Sequence, residues 1–419
     1  YMAWPIPGLD HKDIPALDLL GMILGTGESS RLIQKLRMQE PLCNSVGAGT
    51  FTPKEQGLFM VYGQLNPENL SKTMSILQTE LERIMLEAPS AAEIRRAITN
   101  LESDEFYALE TVDGLARKAG SFEHLMSDHD YFKKYLRLVR SVKAVDISRV
   151  ARKYFNPKAM SLVLMAKGNK APLENQLKKW QKDFQKSVEA IKKQKIVEHK
   201  EKLSAAVNWK SQGRVGGKVA IEKLVLKTGA QILFRPTFDT PVLSVRAAFL
   251  GGLRTEGREN LGLTDLLSRV WTSGTAHLSE QQIQAEIEDI AGGLSAFGGR
   301  NSVGLSLQAL APFEKRAGTL FEEVLARAVI SEQAVEREKL VKLEEIRSRE
   351  DNPAQIASQK FMENLFHGHA YALDMLGTRE SVKKLNKKCV ETFLEQSCQT
   401  SNLVIALAGA VDRDYWLEL

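Results

Sequence analysis

Hydrophobic positions in the first half of the chain predict long helices separated by short strands. Residues 16–24 are apolar on most helical faces, as in a buried helix. A β-rich apolar run at 57–65 predicts a strand, and Pro67 then marks the start of a helix with apolar residues at i, i+3 and i+4. Helical patterns continue as far as Tyr154, and the apolar run 160–168 predicts a buried strand that closes the unit.

The second half of the chain repeats this order of elements. Residues 229–252 predict a hairpin of two strands, and helices and further strands follow. Pro312 follows an apolar run and corresponds to Pro67, 245 positions earlier, while Gly409 follows another run and corresponds to Gly168, 241 positions earlier. Two nearly constant offsets argue for a duplicated unit. Strands mixed with long helices, without regular βαβ alternation, favour α+β sandwiches over a doubly wound sheet.

The chain has 419 residues, which is too long for one ordinary core. Its composition, with 43% hydrophobic and 26% charged residues, is that of a globular protein. We therefore predict an α+β fold of two homologous α/β sandwich domains joined by a charged helical linker. The predicted limits are 1–170 for the first domain, 171–215 for the linker and 216–419 for the second domain.

Lysines are concentrated in one segment, which carries the whole excess of positive charge. Residues 170–202 hold ten lysines and five acidic residues, an excess equal to the formal net charge of +5. Aromatic residues are sparse there and no RNA- or DNA-binding motif accompanies the lysines. We therefore predict a solvated linker helix and no nucleic-acid partner. Steeply salt-dependent binding of nucleic acid would be the sign of the alternative.

A glycine turn follows the first predicted helix and reads GTGESSRLIQKLR over residues 25–37. A phosphate-binding loop needs a lysine after its last glycine, whereas Gly27 is followed by Glu28, which would repel a phosphate. A dinucleotide-binding turn needs a third glycine where Ser30 stands. We therefore predict a turn between two core helices, capped by Ser29 or Ser30.

The same segment, extended to HKDIPALDLLGMILGTGESSRLIQKLR, resembles the pitrilysin/insulinase family of zinc metallopeptidases, the inverzincins, and their mitochondrial-processing-peptidase relatives. In that family a similar run opens the second domain of a homologous pair. In the second half, GGLRTEGRENLGLTDLLSRVWTSGTAHLS and VIALAGAVD are similar to segments of the same family. The resemblance covers nearly the whole chain apart from the linker. It implies that the chain corresponds to the second and third domains of a long, four-domain member, with the second-type domain truncated at its N-terminus and the third-type domain degenerate.

The zinc site of an inverzincin needs H-x-x-E-H on a helix, since two histidines one turn apart bind the metal and the glutamate activates its water. The resemblance places Asp265 at the first histidine, Ser268 at the glutamate and Arg269 at the second histidine. Arginine cannot ligate a metal, and serine is no general base without a partner. Glu345 stands at the third ligand of the family, a downstream helical glutamate. We therefore predict that the chain has no catalytic and no metal-binding residues, and that these four positions are degenerate.

Arg37 is the remaining candidate for substrate binding. The resemblance implies that an arginine in this helix and a tyrosine several residues later hold the substrate backbone in some family members. Arg37 matches the arginine, but Asn44 stands where the tyrosine is expected. A surface arginine at the end of a helix is the alternative interpretation.

Histidines and cysteines add no further site. His367 and His369 are two positions apart and do not share a helical face, so we expect structural or solvent-facing roles for them. Three cysteines in a long chain give neither a disulfide framework nor zinc-type pairing: Cys43, Cys389 and Cys398.

The resemblance implies that the whole protein hydrolyses peptides with zinc held in a first domain that precedes this chain. The chain itself would then be a fragment without a cofactor, forming non-catalytic scaffold and the wall of a two-half chamber around a peptide or unfolded polypeptide. The alternative is a fully inactive homologue that acts as a structural or regulatory subunit.

The surroundings of the chain are predicted in the same way. No run approaches the roughly 18 apolar residues of a membrane-spanning helix, so we expect no membrane span. The resemblance allows a homodimer, and it implies a bacterial periplasmic or cell-envelope location.

Overall fold

The chain forms two compact units, residues 1–208 and 209–419. The computed structural model describes these ranges: 1–109, 111–166, 170–198, 220–238 and 240–419. None of the helices in these ranges combines the length and hydrophobicity that a membrane crossing requires. The boundary between the units falls outside the described residues, so the domain limits drawn from the sequence stay a prediction.

Strands of the first unit pair into one antiparallel sheet. Its described strands are β1 (Met2–Pro7), β2 (Cys43–Phe51), β3 (Gln56–Leu65) and β4 (Ser161–Leu162). Their order is β2-β3-β1-β4, and every neighbouring pair is antiparallel. The predicted strand at 57–65 is therefore confirmed. The buried strand predicted at 160–168 is wrong, because only Ser161–Leu162 form a strand and Met165 is 96% exposed. Gly168 lies outside the described residues.

One face of this sheet is buried under helices. Trp4 on β1 lies opposite Phe59 on β3, and both side chains are fully buried. Their rings meet Phe155, with centroids 4.7 Å from Trp4 and 5.1 Å from Phe59. The helices of this unit are α1 (Ile14–Gly25), α2 (Arg31–Ile33, continued by a π-helix at Gln34–Gln39), α3 (Leu70–Leu86), α4 (Ala91–Ala108), α5 (Val112–Met126), α6 (Tyr131–Ser141), α7 (Ala144–Tyr154) and α8 (Lys170–Ile191).

The lysine-rich helix α8 packs on the first unit. Trp180, Phe184, Val188 and Ile191 recur at helical spacing and are buried in its core. The indole nitrogen of Trp180 donates a hydrogen bond to the carbonyl of Met74 on α3, at 3.0 Å. The segment is helical as predicted, but the apolar stripe anchors it and the lysines occupy the remaining faces, so a fully solvated linker is wrong for 170–191. The end of the predicted linker, 199–215, lies outside the described residues.

The glycine turn after α1 is a close approach between a helix and the sheet. A Cβ atom at Gly25 would lie 2.0 Å from the backbone nitrogen of Ala48 on β2, so only glycine fits there. Ser30 precedes α2, but its hydroxyl makes no capping hydrogen bond, so the cap predicted at this residue is wrong. The Ser29 hydroxyl accepts a hydrogen bond from Arg96 on α4, at 2.7 Å.

The second unit is built around a sheet in which one neighbouring pair is parallel. Its described strands are β5 (Glu222–Val225), β6 (Gln231–Pro236), β7 (Val242–Leu250), β8 (Gly293–Gly298), β9 (Ser302–Leu310) and β10 (Leu403–Gly409). Their order is β5-β6-β10-β7-β9-β8. The predicted hairpin at 229–252 is therefore wrong. Both strands form, but β10 lies between them, parallel to β6 and antiparallel to β7.

Helices also cover one face of this second sheet. Its core is formed by apolar side chains of the strands and helices, among them Trp271 and Phe234, both almost fully buried. The helices are α9 (Leu263–Val270), α10 (Glu280–Asp289), α11 (Glu314–Ala326), α12 (Glu332–Glu350), α13 (Pro353–Leu365), α14 (Arg379–Lys384), α15 (Lys387–Ser397) and α16 (Arg413–Glu418).

The two units repeat one topology. The strand order β2-β3-β1-β4 of the first recurs as β8-β9-β7-β10 in the second. Pro67 and Pro312 each lie in a short 3-10 turn that leads into the next helix, α3 or α11. Ser90 and Ser331 each cap the long helix that follows, α4 or α12. The α+β fold with a duplicated sandwich is therefore confirmed.

Candidate functional site

The positions predicted to be degenerate come together between α9 and α12. Asp265, Ser268 and Arg269 lie on α9, and Glu345 lies on α12. The guanidinium of Arg269 donates two hydrogen bonds to the carboxylate of Glu345, at 2.8 and 3.0 Å. Its Nε donates to Asp265 Oδ2, one helical turn away, at 2.7 Å. The arginine therefore bridges the two acidic residues of this group.

Lys342 on α12 completes this group of charges. Its ammonium donates to Asp265 Oδ2 at 2.6 Å and to the carbonyl of Gly262 at 3.1 Å. The side chain of Lys342 is 0% exposed, which is rare for lysine unless it is paired. We call Asp265, Arg269, Lys342 and Glu345 the ion-pair cluster. Lys342 was not singled out from the sequence, although its spacing of three from Glu345 places both on one face of a helix.

Glu256 holds the start of α9 in place. Its carboxylate oxygens accept hydrogen bonds from the backbone nitrogens of Gly262 and Thr264, at 2.7 and 2.6 Å. A carboxylate at this end of a helix satisfies amides that lack a partner within the helix. Burial raises the pKa of Glu256, although these hydrogen bonds and nearby Lys342 oppose the rise.

Burial and pairing act in opposite directions on the two cations. Burial would lower the pKa of Arg269, but its hydrogen bonds to Glu345 and Asp265 outweigh this and raise the pKa above its ordinary value. For Lys342, burial dominates and lowers the pKa, against the attraction of Asp265. Arg269 is therefore charged at neutral pH.

These residues do not fit a zinc ion. A guanidinium has no lone pair to donate, and the fixed charge of Arg269 lies between the two acidic residues. The Ser268 hydroxyl donates to the carbonyl of Asp265 at 2.8 Å, so it is not placed to act as a base. Within the described ranges, no group of three or more histidine, cysteine or acidic side chains is arranged to hold a metal. The correspondence of these positions to H-x-x-E-H stays a prediction.

Arg37 lies on the π-helical continuation of α2. Its Nη1 is 2.9 Å from Glu28 Oε1, and 47% of its side chain is exposed. Asn44 lies nearby in sequence on β2, at the edge of the sheet, and is exposed. The structure therefore gives Arg37 an ion pair at the surface, and its role in substrate binding stays a prediction.

Neither the histidine pair nor the cysteines form a site in the described part of the chain. His369 Nδ1 accepts a hydrogen bond from the backbone nitrogen of Tyr371 at 3.1 Å, and its ring packs edge-on against that tyrosine. The three cysteines are free thiols. Burial raises the pKa of Cys398 to about 12, so this thiol is not activated.

The first unit carries a different arrangement on its equivalent helix, α1. Asp18 is buried there, and its carboxylate accepts hydrogen bonds from the hydroxyls of Thr50 on β2 and Tyr135 on α6. Burial raises the pKa of Asp18, and the charge of Glu105 adds to the rise. The carboxylate of Asp18 on α1 thus accepts hydrogen bonds from hydroxyl groups, whereas that of Asp265 on α9 accepts them from ammonium and guanidinium groups.

Two family models match the chain, one in each unit. Residues 1–101 match the model described as the peptidase M16 inactive domain. Residues 238–379 match the model described as insulinase, peptidase family M16. The second match includes α9 and α12, and therefore the ion-pair cluster.

The chain is also similar to named proteins, among them a zinc protease and a subunit of a processing peptidase. An uncharacterized zinc protease of Rickettsia felis is 24% identical over 192 residues, covering 45% of this chain and 46% of that protein. The beta subunit of the bovine mitochondrial-processing peptidase is 26% identical over 168 residues, covering 40% of this chain and 34% of the subunit. The matches span less than half the length of these relatives.

Solved structures include similar folds at low identity. The crystal structure of a peptidase M16 inactive domain from Pseudomonas fluorescens has a TM-score of 0.45 and 23% identity, covering 46% of this chain and 48% of that one. With both units matched by models of a single peptidase family, the chain belongs to peptidase family M16, the insulinase family.

Proposed function

We propose that the chain is a non-catalytic part of an M16 zinc peptidase, in which it forms scaffold and the wall of a chamber that holds peptides. The observation that carries the proposal is the ion-pair cluster. Arg269 and Lys342 place two cations at the position where the resemblance puts the zinc ligands. Metal-dependent hydrolysis would have to use residues outside the ion-pair cluster.

The order of the two matched family models supports the same assignment. The inactive-domain model matches the first unit and the insulinase model matches the second. An inactive domain that precedes an insulinase-type domain is the order expected of the second and third domains of a four-domain member. We place the zinc of the whole protein in a domain that precedes these two.

The names of the relatives support a zinc-dependent parent. The match in Rickettsia felis is named a zinc protease, and the bovine match is a subunit of a processing peptidase. We propose that the whole protein cleaves peptides or unfolded polypeptides by attack of a zinc-activated water, a step that uses none of the residues described above.

The test uses the whole protein expressed from its complete coding sequence. We expect one zinc per polypeptide by metal analysis, chelator-sensitive hydrolysis of a quenched fluorescent peptide, and an H-x-x-E-H motif ahead of the residue numbered Tyr1. The variant Asp265→Ala should leave the zinc content of the whole protein unchanged. Loss of zinc in that variant would place the metal in the ion-pair cluster and contradict the proposal.

A whole protein without zinc, without hydrolysis and without the motif would favour the alternative, a fully inactive homologue with a structural or regulatory role. That result would leave the fold and family assignment unchanged. It would overturn the peptidase part of the proposal.

A further inference from the structure

The sheet of the first unit has one face that the helices leave open. Side chains alternate along each strand, so the residues next to the buried Trp4 and Phe59 in sequence point to the other, outward face. On β3 and the paired end of β2, Phe51 is 59% exposed, Leu58 39% and Tyr62 43%. The outward positions of β1, β2 and β3 include no charged residue. A sheet face without any charge is unusual for a surface in contact with water.

The open face is smooth where β2 forms the edge of the sheet. The side chain of Tyr62 lies across Gly47. A Cβ atom at that glycine would be only 2.6 Å from the tyrosine hydroxyl. A Cβ atom at Gly49 would meet nothing within 4 Å. The paired residue Met60 adds a flexible thioether that adapts to varied partners. Together these residues form a shallow apolar floor bordered by the rings of Phe51 and Tyr62.

The equivalent face of the second unit has different chemistry. Arg246 on β7 points outward, with its guanidinium 3.8 Å from the ring centroid of Phe297 on β8. Ser306 on β9 lies opposite Arg246. Because the two sheets share one topology, the apolar character of the first face is not required by the fold. It comes from the side chains that this unit places on its outward strand positions.

The size of the face decides between its occupants. An aromatic side chain presents roughly 150–250 Å², so the exposed parts of Phe51, Leu58 and Tyr62 and their neighbours amount to roughly 300 Å². A stable dimer needs about 800 Å² from each subunit. The exposed apolar area alone falls well short of that figure, whereas it is comparable with the side chains of a short extended peptide.

We propose that the open face of the first sheet, formed around Phe51, Leu58 and Tyr62, binds an uncharged, apolar segment of extended polypeptide. This inference rests on the proposed function, because a chamber wall would meet unfolded chains. It assigns to that wall a preference for apolar over charged segments. The contact is made through side chains on the face of the sheet.

The experiment measures binding of two probes to the 419-residue chain by fluorescence anisotropy. One probe is a short dansyl-labelled peptide of leucine, valine and serine with blocked ends, and the other has aspartate in place of each valine. The variant combines Phe51→Thr, Leu58→Thr and Tyr62→Thr, because threonine suits exposed strand positions. The matched control is Leu250→Thr on β7 of the second unit, where the leucine is 57% exposed.

We expect the uncharged probe to bind, and the triple variant to weaken its binding about tenfold or more, since each truncation removes apolar contact area. Leu250→Thr should leave the affinity unchanged, and the aspartate probe should bind at least about tenfold more weakly, because its charges would be desolvated. If the triple variant fails to fold, Leu58→Thr alone should give a smaller loss in the same direction.

Absence of binding, equal binding of both probes, or binding that the substitutions leave unchanged would overturn the inference. So would a dimer in sedimentation that dissociates in the triple variant, since a second copy would then cover the face. Zinc content and hydrolysis of the whole protein do not enter this assay. The proposed function can therefore fail while this inference stands, and the reverse also holds.

Discussion

Asp265 accepts hydrogen bonds from two cations, so its removal tests the ion-pair cluster directly. The variant Asp265→Ala leaves the ammonium of Lys342, whose side chain is 0% exposed, with a backbone carbonyl as its remaining hydrogen-bond partner. Removing one partner of a buried pair costs about 3–5 kcal/mol of unfolding free energy. The carboxylate of Asp265 is 20% exposed and Arg269 keeps Glu345, so we expect the lower part of this range, about 3 kcal/mol.

The double variant Asp265→Ala/Lys342→Met removes the stranded charge as well as its partner. Methionine fills most of the volume of the lysine side chain, and replacing a buried ion pair by apolar groups is often close to neutral. The carbonyl of Gly262 loses a donor, which costs about 1 kcal/mol. We therefore expect the double variant to be more stable than Asp265→Ala by about 2 kcal/mol.

Native-state hydrogen exchange in urea, read from peptides of α9 and α12, gives the free energy for the second unit separately. The control is Glu344→Ala, because Glu344 neighbours Glu345 on α12 but is 74% exposed, and its contact with Arg347 spans 4.0 Å. We expect no measurable change in that variant. Equal stability of the single and double variants, or a loss below about 1 kcal/mol in Asp265→Ala, would refute the reasoning.

Three further predictions concern the first unit. Burial would raise the pKa of Asp13, but hydrogen bonds from Lys153, Tyr154 and Arg149 lower it below the ordinary 3.8. The stability that Asp13 contributes is therefore present above pH 3.8 and is lost as pH falls through the lowered pKa. In urea unfolding, Asp13→Asn should lower the free energy of unfolding by about 3 kcal/mol at pH 7 and by less in acid. Burial raises the pKa of Asp18 above 3.8. The stability that this group contributes therefore falls as pH rises from 3.8 through the raised pKa. In thermal unfolding, the wild type should lose more stability between pH 4 and pH 7 than Asp18→Asn does. Trp180→Ala should cost about 3–5 kcal/mol and expose α8 to limited proteolysis; an unchanged cleavage pattern would contradict its packing.

Much of the fold could be predicted from the sequence because the elements have local signals. The apolar run at 57–65 and Pro67 after it predicted β3 and the turn into α3, and Pro312 marked the same place in the second unit. The constant offset between these signals predicted the duplication. Local patterns of this kind depend on neighbouring residues and need no knowledge of distant contacts.

The errors arose where distant parts of the chain decide the structure. The apolar pattern at 229–252 predicts a hairpin from neighbouring residues alone, but β10 inserts between its strands from more than 150 positions away. The charge of α8 conceals the stripe that begins with Trp180, because five of its 22 residues are lysines. Lys342 was missed because its burial depends on α9 packing against α12, which no local pattern records.

We propose that the ion-pair cluster occupies the place of a zinc site and that this chain is non-catalytic. The most direct test is zinc binding by the purified 419-residue chain in equilibrium dialysis, together with hydrolysis of a quenched fluorescent peptide by the same sample. We expect no stoichiometric zinc and no hydrolysis above buffer. One zinc per chain that is lost in Glu345→Gln, together with chelator-sensitive hydrolysis, would contradict the account.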